Sequence, residues 1–122
     1  MKGHFDNSRP IFRQIINLIL LSIATGELQP GEKVAPVREM AFEYKVNPNT
    51  MQKSLSKLEE MGYLFTERTS GRYVTRDLTL VEKLKAELPA QITKQYVADM
   101  RECGIALSDI PSHIINYLGK DE

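Results

Sequence analysis

The amino-acid sequence predicts a mainly α protein with one small β-hairpin. Two patterns carry that prediction. Apolar residues recur at spacings of three and four over most of the 122 residues, and one stretch, Tyr63 to Thr75, is dense in strand formers around a central turn. The length suits one small domain with a short appendage, and an apolar fraction of 42% is enough for a core without disulfide staples.

Taken in order, Ser8 or Arg9 sits at the N-cap side of the first helix and Pro10 in its first turn, where a missing N–H costs nothing. Ile11, Ile15, Leu18/Ile19 and Ser22/Ile23 form its stripe, and Gly26 ends it. Ile16, Leu20 and Leu21 lie off that stripe, so this helix needs two partners. Either it is deeply buried in its own domain, or one face packs on a second subunit. Pro30-Gly31 then turns the chain. A second helix spans about Pro36 to Tyr44, with Val37, Met40, Ala41 and Tyr44 inward. After Lys45-Val46-Asn47 a third helix runs from Pro48 to Met61, capped by Asn47. Met51, Leu55 and Leu58 are its buried stripe and Met61 is read as core, while Glu59-Glu60 is read as a solvated end. Asn49, Gln52, Lys53 and Ser56 fall on the opposite face. Two helices joined by three residues, with small Ala41 at the crossing and Val46 at the corner, make a helix-turn-helix.

Gly62 ends the third helix. Tyr63–Glu67 and Arg72–Thr75 form a hairpin about the turn Arg68–Gly71, with Arg68 and Arg72 at its tip. Helices in series followed by a basic hairpin are a winged helix-turn-helix. From Leu78 the helical spacing returns in Val81, Leu84, Leu88, Ile92, Tyr96 and Met100, and Pro89 is expected to kink or split that helix near Glu87-Leu88, as a hinge. Cys103-Gly104 closes it, with Cys103 read as a small buried hydrophobe. Ser108 caps a last helix with Ile110, Ile114, Ile115 and Leu118 inward, ending at Gly119. The organisation predicted is a winged helix-turn-helix DNA-binding domain at 1–77 and a two-helix C-terminal tail at 78–122, to which the family resemblance given below assigns dimerisation.

Charge and composition narrow the function. Basic and acidic residues are equal at 16 each, which excludes a histone-like coat and an acidic disordered tail. The balance is a cancellation: residues 1–77 hold eleven basic against nine acidic residues, and residues 78–122 five against seven. One cysteine rules out an intrachain disulfide framework. The longest apolar stretch, Ile15 to Ile23, is too short to span a bilayer and lacks a signal-peptide cleavage pattern, so the cytoplasm and no membrane partner are expected. The sequence has no Gly-rich phosphate loop, no nucleophile elbow and no paired metal-ligand spacing. His4 and His113 lie near opposite ends, and His4 with Asp6 falls short of a metal site. No catalytic residue and no cofactor are therefore assigned.

On a recognition helix, Asn49 and Gln52 are side chains that pair bidentately with adenine, and Lys53, further along, suits a phosphate. The runs Pro10-Ile-Phe-Arg-Gln-Ile15, Gly26-Glu-Leu-Gln-Pro-Gly31, Val37-Arg-Glu-Met-Ala41, Val46-Asn-Pro-Asn-Thr50 and Leu58-Glu-Glu-Met-Gly62-Tyr-Leu64 follow one another at fixed spacing. Over residues 9 to 76 the chain thereby resembles the GntR family of bacterial transcription regulators. Asn47-Pro-Asn-Thr50 and a two-helix tail look like the YtrA subfamily. The resemblance implies a homodimer on an inverted-repeat DNA operator, acting as a repressor, often beside genes for ATP-binding-cassette transporters. It also implies a DNA-contacting set. Arg38 lies at the start of the preceding helix, and Asn47, Asn49, Thr50, Gln52 and Lys53 lie around the recognition helix. Arg68, Gly71 and Arg72 lie on a wing reaching the minor groove or backbone. Leu84, Leu88, Ile92, Tyr96, Met100, Ile114 and Leu118 would form the dimerisation face. No effector is named by any residue.

Departures from the family pattern sharpen these expectations. Val34-Ala35-Pro36 stands where Leu-Pro-Ser is usual, losing a serine that would cap the helix and touch a phosphate. Lys45 replaces a turn glycine, at a cost on the order of 1 kcal/mol if the backbone there is left-handed. Pro48 and Gln52 replace arginines, removing guanine readers and predicting an operator read through A·T pairs. Thr69 replaces a wing glycine, which bears on close backbone approach at the tip. The bland readings are that Asn47 is only a cap, that Asn49, Gln52 and Lys53 are a solvated face, and that Arg72 is a surface arginine. The alternative function is a winged-helix protein-interaction module without operator-specific DNA binding.

Overall fold

The computed structural model describes residue 5 and residues 10–120. The proposed Ser8 or Arg9 cap, and His4 and Asp6, lie outside the described residues. The chain runs α1 (Ile11–Thr25), α2 (Val37–Tyr44), α3 (Pro48–Glu60), β1 (Leu64–Glu67), β2 (Gly71–Val74), α4 (Leu78–Glu102), a 3-10 turn (Leu107–Asp109) and α5 (Ile110–Lys120). It divides into two compact units, residues 1–85 and 86–122.

In the first unit α1 begins one residue later than expected. Pro10 is its N-cap, extended at ψ 122°, and not a first-turn residue. A proline with extended ψ still offers its carbonyl to the first turn, and Gln14 N–H takes it at 3.4 Å. Gly26 ends the helix in the left-handed conformation at φ 85°. The two-partner question for α1 resolves toward burial in its own chain. Ile16 and Leu20 are buried along with Ile15, Ile19 and Ile23, and Leu21 is left partly exposed. α3 crosses α1 through Ser54, whose hydroxyl donates to the Phe12 carbonyl (3.2 Å) or the Thr50 carbonyl (2.9 Å). Met51, Leu55 and Leu58 close the core beneath it, together with Met40, Ala41 and Tyr44 of α2. Burial pushes the Tyr44 phenol above its usual pKa, with the charges of Glu43 and Glu27 adding to the rise.

The turn between α2 and α3 has Lys45 at φ 59°, ψ 46°, a left-handed position held without glycine. β1 and β2 pair antiparallel with Leu64 opposite Val74, Phe65 opposite Tyr73, Thr66 opposite Arg72 and Glu67 opposite Gly71. The first strand is thus one residue shorter than the expected Tyr63–Glu67, and the second keeps its length but starts one residue earlier than the expected Arg72–Thr75. Arg72 lies within β2, not at the tip. Residues 31–34 add a third lane: Val34 N–H donates to Arg72 O at 2.8 Å and Val74 N–H to Glu32 O at 2.9 Å. Met61, expected in the core, is 42% exposed, because α3 stops at Glu60 and Met61 becomes its C-cap.

Pro89 does not split α4, which is continuous from Leu78 to Glu102. A proline deletes one helical hydrogen bond, here the one to the Lys85 carbonyl, and the neighbours Ala86, Glu87, Leu88 and Ala90 are good helix formers that sustain the rest. Leu84 is buried within the single chain and belongs to the first unit, so it has little surface to offer a partner. In the second unit Cys103 is exposed, not buried. The helix has ended at Glu102, so residue 103 no longer follows the stripe that contains Met100. Ser108 falls inside the 3-10 turn, whose own N-cap is the extended Ala106. α5 runs through Gly119 to Lys120. Of its expected inward residues Ile110 is buried, whereas Ile114, Ile115 and Leu118 are exposed in the single chain.

Candidate nucleic-acid interface

The recognition surface is built at the start of α3. Asn47 is extended and its Oδ1 accepts the Asn49 backbone N–H at 2.7 Å, the geometry of a capping asparagine. Its side chain is thereby committed to the helix, and Pro48 follows in the first turn as expected. Asn49, Gln52 and Lys53 are exposed and Thr50 is half-buried. Two of these side chains are already oriented. Gln52 Nε2 donates to Ser56 Oγ at 3.0 Å, and Lys53 Nζ sits 4.8 Å from the centre of the Phe12 ring. Arg38, exposed one residue into α2, lines a hollow of about 410 Å³ with Phe42, Val46 and Pro48, so the starts of α2 and α3 share one surface.

The wing is a second basic element. Arg68 is exposed in the three-residue loop between the strands. Gly71 has φ 129°, and a Cβ there would lie 3.0 Å from Lys33 Cε. At that φ a side chain is strained, and its Cβ would crowd the flexible end of the Lys33 side chain. Phe65 and Tyr73 stack with ring centres 5.7 Å apart, and the Arg76 guanidinium covers Phe65 at 4.7 Å. Arg72 differs from the expectation of a tip charge, because its Nε pairs with Glu59 Oε1 at 3.1 Å. Glu59 is likewise no solvated end: its other oxygen accepts from Thr66 Oγ1 at 2.7 Å. Glu60 is exposed and pairs with Lys57.

Sequence reasoning missed Lys33 and Glu59. Lys33 meets the wing through its bridge to Tyr73, far away in sequence, and no local signal marks that pairing. Glu59 stands seven residues from Thr66 and thirteen from Arg72, and only the hairpin register brings the three together.

In the second unit a groove of about 560 Å³ gathers Ile92, Tyr96, Met100 and Ile114 from the expected dimerisation set, with His113 and Tyr117 beside them. Leu88 is half-buried and Leu118 is exposed. Among the described residues no helix is long and apolar enough to cross a membrane.

A helix-turn-helix with a polar recognition face and an aromatic-backed basic wing defines a DNA-binding transcription regulator. The chain belongs to the GntR family: the family model for bacterial regulatory proteins of the gntR family matches residues 12–74. It is 36% identical over 110 residues to the HTH-type transcriptional regulator YhcF of Bacillus subtilis, covering 90% of this chain and 91% of that one. It is 34% identical over 106 residues to the HTH-type transcriptional repressor YtrA of the same organism, covering 85% of this chain and 81% of YtrA. A solved GntR family transcriptional regulator from Listeria monocytogenes superposes with a TM-score of 0.81 at 35% identity, covering 92% of this chain and 98% of that one.

Proposed function

We propose that this GntR-family regulator is a repressor that binds an inverted-repeat operator as a homodimer in the bacterial cytoplasm, with a transporter operon as its target. The observation that carries the reading is the start of α3. A capped helix end presents Asn49, Gln52 and Lys53 to solvent on a surface shared with Arg38. Asn49 and Gln52 read adenine edges in the major groove, while Arg38 and Lys53 meet base or phosphate. The N-terminal end of α3 adds backbone N–H groups and the positive end of the helix dipole. The wing brings Arg68 to the flanking backbone. The exposed apolar residues of α4 and α5, Ile92, Ile114 and Leu118 among them, pair two chains about a two-fold axis, so that two recognition helices meet successive major grooves. Similarity to a named repressor, YtrA, supports the direction of control. Occupancy of the operator then blocks transcription.

Selection of bound sequences from random DNA tests this. The expected product is an A·T-containing inverted repeat with half-sites about one helical turn apart, bound with an affinity that falls steeply as salt rises. Absence of any enriched sequence, with binding flat from low to moderate salt, would leave the protein-interaction module as the reading.

A further inference from the structure

One carboxylate at the end of the recognition helix grips both strands of the wing. Thr66 Oγ1 donates to Glu59 Oε2 at 2.7 Å, and Arg72 Nε donates to Glu59 Oε1 at 3.1 Å. Thr66 and Arg72 face each other across the hairpin, so both bonds act on the same rung. The side chains of Arg72 and Glu59 are 18% and 33% exposed, which shelters the pair in part from water. Charge-assisted bonds in such a setting are firmer than an exposed surface ion pair. Backbone pairing with residues 31–34 holds β2 at Arg72 and Val74. Beyond the Thr66–Arg72 rung lie the last pair, Glu67 and Gly71, and the loop that carries Arg68. Glu59 therefore ties the wing to α3 at the rung next to its tip.

We propose that Glu59 is a positioning residue for DNA binding. Its carboxylate sets the wing on the recognition helix through Thr66 and Arg72. Arg72 is the wing's anchor and not a phosphate contact; Arg68 and Lys33 supply the charges that meet the backbone. The inference rests on the DNA-binding reading above. Its sign distinguishes it from an incidental pair. A carboxylate near DNA repels phosphate, so if Glu59 merely competed for Arg72, removing it would tighten binding and steepen the salt dependence. If Glu59 positions the wing, removing it weakens binding even though a negative charge is gone.

The experiment is operator titration across salt concentration with the whole chain carrying Glu59→Ala or Glu59→Gln, each also in an Arg68→Ala background. Glu59→Ala should weaken binding about tenfold, the loss of a charge-assisted hydrogen-bond pair. Glu59→Gln should recover part of the loss, because its amide oxygen still accepts a hydrogen bond. In the Arg68→Ala background Glu59→Ala should change little, since both act through the wing. Thr66→Val, which removes one bond with little change of shape, should weaken binding by a smaller factor. Unchanged or tighter binding by Glu59→Ala, or full additivity with Arg68→Ala, overturns the proposal. In the free protein, amide hydrogen exchange across residues 64–74 should quicken in Glu59→Ala, and equal exchange also overturns it. If the unsubstituted protein selects no DNA, the regulator reading fails, and the exchange result still decides whether Glu59 holds the wing.

Discussion

The two compact units of this chain carry equally clear helical patterns but satisfy them differently. In residues 1–85 the stripes close on one another, and Ile15, Ile19, Met51, Leu55 and Leu58 lose all exposure. In residues 86–122 Ile110 is the one buried residue among those described, and Ile92, Ile115, Tyr117 and Leu118 are each more than half exposed. An amphipathic repeat states that a face will be covered without stating by what. Three helices and a hairpin can surround a shared core. The helical residues of the second unit leave most of their apolar side chains open, which is why that unit carries the proposed dimer surface.

Substitutions can break that contrast. Leu55→Ala, at a site with no exposure, should cost about 2–5 kcal/mol in denaturant unfolding. Ile115→Ala should shift the unfolding of the first unit by less than about 0.5 kcal/mol. Comparable losses would mean that Ile115 is covered as fully as Leu55. Next in size, Tyr96→Ser with Met100→Ser should yield a monomer in sedimentation equilibrium and lower operator affinity about a hundredfold, because the second half-site loses its effective concentration. A persistent dimer would place the interface in the first unit. Within the first unit, Arg38→Ala and Gln52→Ala should each weaken operator binding by about 1–3 kcal/mol, the second with relaxed base preference in a selection from random DNA. Wild-type binding by both would remove the start of α3 as the reading surface. Smallest, Lys45→Gly should raise stability by about 1 kcal/mol, since glycine holds φ 59° without a Cβ penalty. An unchanged or lower denaturation midpoint would show that the lysine is not strained there.

The legible parts of this protein were the local ones. Gly26, Asn47 with Pro48, and the spacing of Met51, Leu55 and Leu58 each act within a few residues, and each stands where the pattern placed it. The strained turn at Lys45 was visible because a lysine occupied a position where the family pattern has glycine. The misreadings came from competition between a local preference and its surroundings. Pro89 is a helix breaker by type, yet it removes a single bond from a long helix of good formers. Ser108 is a good cap by type, yet a 3-10 turn forms over it. Glu59 looked like a solvated end and Arg72 like a charge at the wing tip, because their shared ion pair joins residues on the two sides of a turn.

The sequence by itself determined the order of the elements, the helix-turn-helix and the polar face of its recognition helix. All of these depend on interactions spanning a turn or two of chain, so residue type and spacing suffice to specify them. Only the tertiary structure decided that α1 buries Ile16 and Leu20 as well as its main stripe, that Leu84 belongs to the first unit, and that Glu59 bonds Thr66 and Arg72 across the hairpin. Those contacts join residues that meet through packing and strand register, and a one-residue shift of the hairpin would replace every partner they have.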